Sequence, residues 1–149
     1  LENAFAREGI RVLLECRIRK VESKGDEKVL HVTGPGESDE QIVVDEILVG
    51  AGRAPNVQNL GLTSAGVEYD ERRGVTVDDH LRTTNRRIFA AGDVCMAWKF
   101  THAADAAAKI VVQNALFLGR KKLSGLVMPW CTYTDPEGAH VGLHADEAA

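Results

Sequence analysis

The stretch RIFAAGDVCMAWKFTHAADAAAK, residues 87–109, decides how the chain is interpreted. Its apolar start, "RIFAAG", predicts a fully buried strand, and the alanine-rich segment from Thr101 to Leu118 predicts a helix that ends at Gly119. Between them lie Gly92 and Asp93, at the carboxyl end of the predicted strand. Ligands bind at that edge of open α/β sheets, and Gly92 lets a ligand approach the backbone closely.

The chemistry at the two ends of this stretch points to one kind of ligand. The Asp93 carboxylate can accept hydrogen bonds from sugar or ribitol hydroxyl groups, and such charge-assisted bonds are the stronger ones. The predicted helix start at Thr101, His102 and Ala103 offers free N–H groups that carry roughly half a positive charge. That charge suits an oxygen or nitrogen that gains electron density. A ligand with both a polyol and an electron-accepting ring would satisfy both ends.

The composition bounds the class of protein. The chain has 149 residues, of which 44% are hydrophobic and 27% charged, so it has room for one ordinary globular core. No apolar run approaches the roughly 18 residues of a spanning helix, and no signal peptide is recognised. The net charge is −4 and the basic residues are scattered, unlike a nucleic-acid footprint. These features predict a soluble, cytoplasmic protein with neither a membrane nor a nucleic-acid partner.

The rest of the chain predicts a mixture of helix and sheet. The opening "LENAFAREGI" is typical of the last turns of a helix closed by Gly9. Residues 11–23, 28–34 and 41–52 predict an antiparallel meander with turns in "KGDE" and "GPGESDE". A long ordered connection and a short strand in "GVTVDDHLRTTN" follow, and "WCTYTDPEGAHVGL" predicts a strand pair turning at "DPEG". Because the last residues, 145–149, read as the first turn of a helix, we interpret the chain as a segment of something longer.

The cysteines and histidines suggest no redox pair or metal site of their own. Cys16, Cys95 and Cys131 are odd in number and far apart, which argues against a disulfide framework, a zinc site or a CxxC pair. We expect each to be a small buried hydrophobe. His140 and His144 have no further ligand at metal spacing, so no metal-binding residues are predicted.

Three motifs in this chain resemble those of one enzyme family. "TTNRRIFAAGDV", residues 83–94, matches the second FAD motif of the flavoprotein disulfide reductases, which include glutathione reductase, dihydrolipoamide dehydrogenase and mercuric reductase. "ILVGAGRAPNVQNLGL", residues 47–62, looks like the strand and Gly-Arg-x-Pro-Asn signature that closes their NAD(P) domain. "YTDPEGAHVGL", residues 133–143, resembles the entry to their dimerisation domain. The motifs follow the family's order and cover nearly the whole chain.

The resemblance implies a set of cofactor-binding residues. Asp93, preceded by Gly92, corresponds to the carboxylate on the FAD ribitol, and Gly52 to a glycine near the nicotinamide of NAD(P)H. The segment whose backbone faces the pyrimidine edge of the flavin corresponds to four residues: Lys99, Phe100, Thr101 and His102. The backbone of His102 is expected to matter more than its side chain. The family's reaction passes a hydride from NAD(P)H to FAD and electrons onward to a substrate, usually through a cysteine pair.

The implied architecture is α/β, a fragment of a homodimeric flavoprotein with two dinucleotide-binding domains. Residues 1–52 would be the C-terminal part of the NAD(P)-binding domain, with its β-meander. Residues 53–125 would be the second half of the FAD-binding domain, and residues 126–149 the start of the dimerisation domain. The expected partners are therefore a second copy of the chain, FAD and NAD(P)H.

Departures from the family pattern limit what this chain can do alone. It has no GxGxxG phosphate loop and no CxxxxC pair, and Gly138 stands where relatives often have an aliphatic residue. We therefore predict that the 149 residues are inactive by themselves and do not retain FAD tightly. The alternative is a non-catalytic binding or assembly module derived from this family. A disulfide and a metal ion both stay open as substrate, as does the preference for NAD or NADP.

Overall fold

The computed structural model describes residues 1–144, so the helix start predicted over residues 145–149 lies outside the described residues. The chain divides into two compact units. One contains Leu1–Ala51 and Thr132–Gly138, and the other contains Gly52–Cys131 and residues 139–144. Helices and strands are mixed, as an α/β fragment requires.

The first unit is built on the predicted antiparallel meander. After helix α1 (Glu2–Arg7), strands β1 (Arg17–Lys24), β2 (Glu27–Thr33) and β3 (Asp39–Val44) pair in the order β1-β2-β3. The β2 strand is central in the sheet, and its buried residues are Val29 and Val32. Both predicted turns are confirmed: a two-residue link joins β1 to β2, and a 3-10 turn over Pro35–Glu37 joins β2 to β3.

The outer strands of the meander are shorter than the sequence predicts. The first begins at Arg17 rather than at residue 11, and the third ends at Val44 rather than at residue 52. The apolar run that follows is left in solvent, with Leu48 98% exposed. An extended apolar segment becomes a strand only when another strand satisfies its backbone N–H and C=O groups. Within residues 1–144 no strand pairs with residues 45–51.

Helix α2 (Thr101–Leu116) organises the core of the second unit. Its buried residues, Ala103, Ala107, Ile110 and Asn114, recur at helical spacing and form one face. That face packs with Leu81, Met96 and Met128. The prediction of this helix is confirmed to within two residues at its end, where the Gly119 N–H returns to the Gln113 carbonyl at 3.0 Å. Many alanines give the helix high intrinsic propensity.

The strand predicted in "RIFAAG" is wrong in this structure. Residues 88–91 lie in no strand and are half-buried rather than fully buried. Their backbone pairing is a single bridge between Arg82 and Phe89, flanked by hydrogen bonds from Thr83 to Ile88 and from Ala90 to Leu81. A continuous apolar run is typical of a strand with neighbours on both sides and cover on both faces. Among the described residues, only the short segment around Leu81 pairs with this run.

Two short strand pairs complete the described secondary structure. Strands β4 (Tyr69–Asp70) and β5 (Gly74–Val75) lie beside a small core of Val57, Val67 and Val75, inside the predicted long connection and at the predicted short strand. Strands β6 (Trp130–Thr132) and β7 (Gly138–His140) form the strand pair predicted around "DPEG".

The three cysteines differ from the prediction of three buried hydrophobes. Cys16 and Cys95 are half-buried and Cys131 is exposed, because β6 has only the short β7 as a neighbour among the described residues. All three are free thiols. Over residues 1–144 the structure contains no helix of the length and apolarity that crossing a bilayer would need.

Candidate functional site

The predicted site is built on a single 3-10 turn, Gly92–Val94. Gly92 is buried with a φ of 79°, and a Cβ added to it would lie 3.1 Å from the Cβ of Ala104 on helix α2. Only glycine combines that backbone angle with so close an approach to the helix. The Gly92 N–H also donates to the Met96 sulfur at 3.3 Å. The turn is thereby held directly against the first turns of α2.

The Asp93 side chain projects from this turn and is 40% exposed. Its Oδ2 forms an ion pair of 2.9 Å with Nη1 of Arg53. Its Oδ1 has no hydrogen-bond partner within residues 1–144. One carboxylate oxygen is thus held by a cation while the other can still accept a hydrogen bond from a hydroxyl group.

Lys99 turns its side chain back onto the same turn. Its Nζ donates hydrogen bonds to the carbonyl oxygens of Asp93 and Met96, both at 2.9 Å. The ammonium group is therefore occupied by the protein, which leaves the Lys99 backbone as the part that can face a ligand. The role of this backbone in facing the flavin stays a prediction.

The start of α2 offers the unpaired donors that the sequence predicts. Phe100 is its N-cap without a side-chain cap, and the first backbone hydrogen bond of the helix runs from Ala104 N–H to the Phe100 carbonyl at 3.0 Å. No acceptor within residues 1–144 meets the N–H groups of Thr101, His102 and Ala103. These groups carry the positive end of the helix dipole.

The His102 side chain is engaged within the protein. Its Nε2 lies 2.8 Å from the Pro129 carbonyl and donates to it, since a carbonyl can only accept. The ring also stacks on Phe100, with 5.3 Å between the ring centroids and 7° between the planes. The imidazole therefore anchors the helix start to the residue before β6, which favours the backbone of His102 over its side chain as the ligand-facing part.

Cys95 lies next to the turn but is not a nucleophile. Burial raises the pKa of its thiol to about 11, against a smaller opposing effect of Lys99. At neutral pH the group is a protonated thiol, and only a thiolate attacks a disulfide or binds a metal tightly. The site thus has no redox-active sulfur of its own within the described residues.

The predicted residues are brought together by the fold. Gly92, Asp93 and Lys99 share one hydrogen-bonded turn, Phe100, Thr101 and His102 begin the adjoining helix, and Gly52 directly precedes the arginine that pairs with Asp93. A Cβ added to Gly52 would meet no described atom within 4 Å, so open space surrounds it in residues 1–144. Whether these residues bind a cofactor stays a prediction.

Arg53 is the residue that the sequence analysis missed. Forty positions separate it from Asp93, so no local pattern indicates their contact. A signal was present, because Arg53 is the arginine of the Gly-Arg-x-Pro-Asn signature.

The arrangement fits one half of FAD. A carboxylate with a spare acceptor, a glycine without a side chain in the way, and free N–H groups at a helix start match a ribitol chain and an electron-accepting ring. The pyrophosphate is different, because it needs a glycine-rich turn at a helix N-terminus and the sequence contains no GxGxxG. The residues therefore suit the flavin and ribitol but not the phosphates.

Known proteins are similar in sequence to this chain. The sequence profile of the pyridine nucleotide-disulphide oxidoreductase family matches residues 1–108. Mercuric reductase of Staphylococcus aureus is 34% identical over 149 residues, which are 99% of this chain and 27% of that protein. Dihydrolipoyl dehydrogenase of Thermus scotoductus is 37% identical over 149 residues, which are 99% of this chain and 32% of that protein.

A solved structure gives the same result for the fold. The HOCl-induced flavoprotein disulfide reductase RclA of Escherichia coli superposes with a TM-score of 0.83 over 99% of this chain and 33% of its own, at 24% identity. The chain therefore spans about a third or less of the length of these relatives. With the profile matching well over half of its residues, this chain belongs to the pyridine nucleotide-disulphide oxidoreductase family.

Proposed function

We propose that this chain supplies the ribitol- and ring-binding part of the FAD site in an NAD(P)H-dependent oxidoreductase. The observation that carries the proposal is the Asp93 carboxylate, which has one oxygen held by Arg53 and sits on a turn fixed against the start of α2. When bound, FAD supplies the two-electron chemistry by which such enzymes pass a hydride from NAD(P)H to a disulfide or metal-ion substrate.

Each residue of the site has a distinct task in this proposal. Asp93 accepts hydrogen bonds from ribitol hydroxyl groups through Oδ1, and Gly92 leaves the backbone accessible beside it. The N–H groups of Thr101 and His102 face the ring and favour negative charge on it. Lys99 contributes its backbone, since its ammonium group holds the turn.

The remaining assignments extend the proposal to the whole enzyme. Gly52 is proposed to lie near the nicotinamide of NAD(P)H. Residues 1–52, 53–125 and 126–149 are proposed to belong to the NAD(P), FAD and dimerisation domains. Without a phosphate loop or a CxxxxC pair, the 149 residues alone are proposed to have no turnover. A cytoplasmic location stays a prediction.

Riboflavin and lumiflavin provide a direct test, because both carry the ring but only riboflavin carries the ribitol chain. We expect the 149-residue chain to bind riboflavin about tenfold more tightly than lumiflavin. The difference comes from one charge-assisted hydrogen bond, which contributes about 1.5–3 kcal/mol. Because Asp93 is half-exposed, we take the lower end of that range. Asp93→Asn should bring the two affinities together. Quenching of flavin fluorescence in a titration measures both dissociation constants.

The controls separate ribitol recognition from general effects. Asp105→Asn removes a carboxylate from the exposed side of α2, where it pairs with Lys109, and should leave the riboflavin preference unchanged. FAD should bind no more tightly than riboflavin, because the phosphates find no glycine-rich turn. Equal affinity for riboflavin and lumiflavin in the wild-type chain would contradict the proposed function.

A second candidate function, an assembly module, is favoured by the amount of apolar surface in solvent. Among residues 1–144, five large hydrophobic side chains are each at least 74% exposed: Leu48, Val49, Phe117, Leu118 and Tyr133. Leaving such a side chain in water forgoes roughly 1.5–3 kcal/mol, a large share of a typical stability of about 5–15 kcal/mol. We expect the chain to self-associate as a dimer or larger species.

Light scattering and thermal melting test self-association together. The mass in solution should be at least twice that of one chain, and the melting temperature should rise with protein concentration. A colourless, stable oligomer without riboflavin preference would favour the assembly module over the flavin site. A mass equal to one chain with a concentration-independent melt would rule self-association out.

A further inference from the structure

Arg53 joins the two ends of the segment that carries the proposed flavin contacts. Its Nη1 lies 2.9 Å from Asp93 Oδ2 and 3.2 Å from the carbonyl oxygen of Lys99. Asp93 opens this segment and Lys99 closes it, immediately before the N-cap of α2. A single nitrogen thus spans a stretch of backbone that would otherwise be a surface loop.

Lys99 links the same two ends of the segment through its own side chain. Its Nζ donates to the carbonyl of Asp93 at 2.9 Å, while its own carbonyl accepts from Arg53. The three residues form a closed arrangement in which each is bound to both others, here called the Arg53–Asp93–Lys99 clasp. Within it, Asp93 Oδ1 is the carboxylate oxygen that stays available to a ligand from outside.

The clasp contributes little to the stability of the folded chain. The Arg53 side chain is 63% exposed, and ion pairs between exposed groups contribute little to the free energy of unfolding. Its geometric effect is larger, since an unpaired aspartate on a turn rotates among several rotamers and presents its oxygens in different directions. A guanidinium on Oδ2 selects one rotamer and so fixes the direction of Oδ1.

We propose that Arg53 is a positioning residue for the flavin site: it orients the Asp93 carboxylate toward the ribitol. This inference rests on the proposed function. Arg53 touches no part of the flavin in this assignment and acts on the ribitol through Asp93. The preference for riboflavin over lumiflavin therefore depends on a residue forty positions upstream of the carboxylate that makes the contact.

The test compares Arg53→Gln with a matched control in the riboflavin and lumiflavin titration. Arg87→Gln removes the same charge from an exposed guanidinium that has no hydrogen bond or ion pair within residues 1–144. We expect Arg53→Gln to lower the riboflavin preference about threefold to fivefold, with lumiflavin affinity unchanged. Arg53→Lys, which keeps the charge, should restore part of the preference, and Arg87→Gln should not alter it.

The double variant Arg53→Gln with Asp93→Asn completes a double-mutant cycle with the two single variants. It should behave as Asp93→Asn alone does, because Arg53 acts through that carboxylate. If Asp93→Asn abolishes the preference while Arg53→Gln leaves it intact, the positioning role is overturned and the flavin site stands. Equal losses for both ligands in Arg53→Gln would also overturn it, since they indicate a structural role only. Absence of any preference in the wild-type chain refutes the proposed function itself.

Discussion

Replacement of Gly74 by alanine is expected to cause the largest loss of stability of any single substitution considered for this chain. Gly74 has a φ of 94°, which L-residues rarely adopt, and a Cβ built on it would lie 2.1 Å from the carbonyl oxygen of Val94. The same Cβ would be 2.9 Å from the Val94 carbonyl carbon and 3.2 Å from the Cβ of Pro55. These neighbours are backbone or rigid ring atoms, so relief requires moving the chain.

The expected cost is about 4 kcal/mol or more, from backbone strain of about 1–3 kcal/mol together with the displaced Val94. A typical domain has about 5–15 kcal/mol in total, so much of the second unit's stability would be lost. Urea denaturation followed by the fluorescence of Trp98 and Trp130 measures the change. Because Val94 follows Asp93 on the same turn, the riboflavin preference should fall as well.

Gly125→Ala is the matched control for Gly74→Ala. Gly125 belongs to the same compact unit, its φ is not left-handed, and a Cβ added to it meets no described atom within 4 Å. We expect its free energy of unfolding to change by less than about 1 kcal/mol. Similar losses in the two variants would show that the close approach at Gly74 is absent in solution.

Leu81→Ala is expected to have the second-largest effect. The side chain of Leu81 is 0% exposed and packs with Met96, Ala103 and Ala107 at the centre of the core under α2. Removing a buried leucine side chain costs about 2–5 kcal/mol, from lost burial and from the cavity that remains. The free energy of unfolding from urea denaturation measures this cost.

Leu118→Ala is an unusually close control, because it shares the side chain and the backbone conformation of Leu81. Leu81 has a φ of 64° and Leu118 a φ of 53°, but Leu118 is 94% exposed. Strain from the left-handed backbone is therefore common to both, and only burial differs. We expect Leu118→Ala to change stability by less than about 0.5 kcal/mol. If both variants lose the same amount, burial is not what Leu81 contributes.

Local sequence patterns were sufficient to predict an element wherever residues close to it in sequence stabilise it. Strand segments separated by turn residues predicted the β1–β3 meander, whose strands pair across short links. The alanine-rich pattern predicted α2, because its hydrogen bonds are internal and its apolar face repeats at helical spacing. The motif around Asp93 likewise placed a carboxylate and a helix start close together along the chain.

Apolar runs alone were not sufficient to predict a strand. Residues 45–51 and 88–91 have the composition of buried strands, yet the first is exposed and the second half-buried without regular pairing. Hydrophobicity expresses a tendency to leave water, whereas a strand also needs a partner for its backbone groups. The described residues do not provide partners for these runs, and no property of the runs themselves could indicate that.

The sequence by itself determined the family, the meander, the helix and the identity of the candidate cofactor-binding residues, because motif spacing and periodicity are local properties of the chain. Only the tertiary structure decided that Arg53 holds Asp93, that the Lys99 ammonium is taken up by backbone carbonyls and that His102 binds the Pro129 carbonyl. The Arg53–Asp93 and His102–Pro129 contacts join residues that are 27 or more positions apart, and the Lys99 contacts depend on its side-chain rotamer. Such choices are made by packing, which brings distant groups within hydrogen-bond distance and leaves each side chain few orientations.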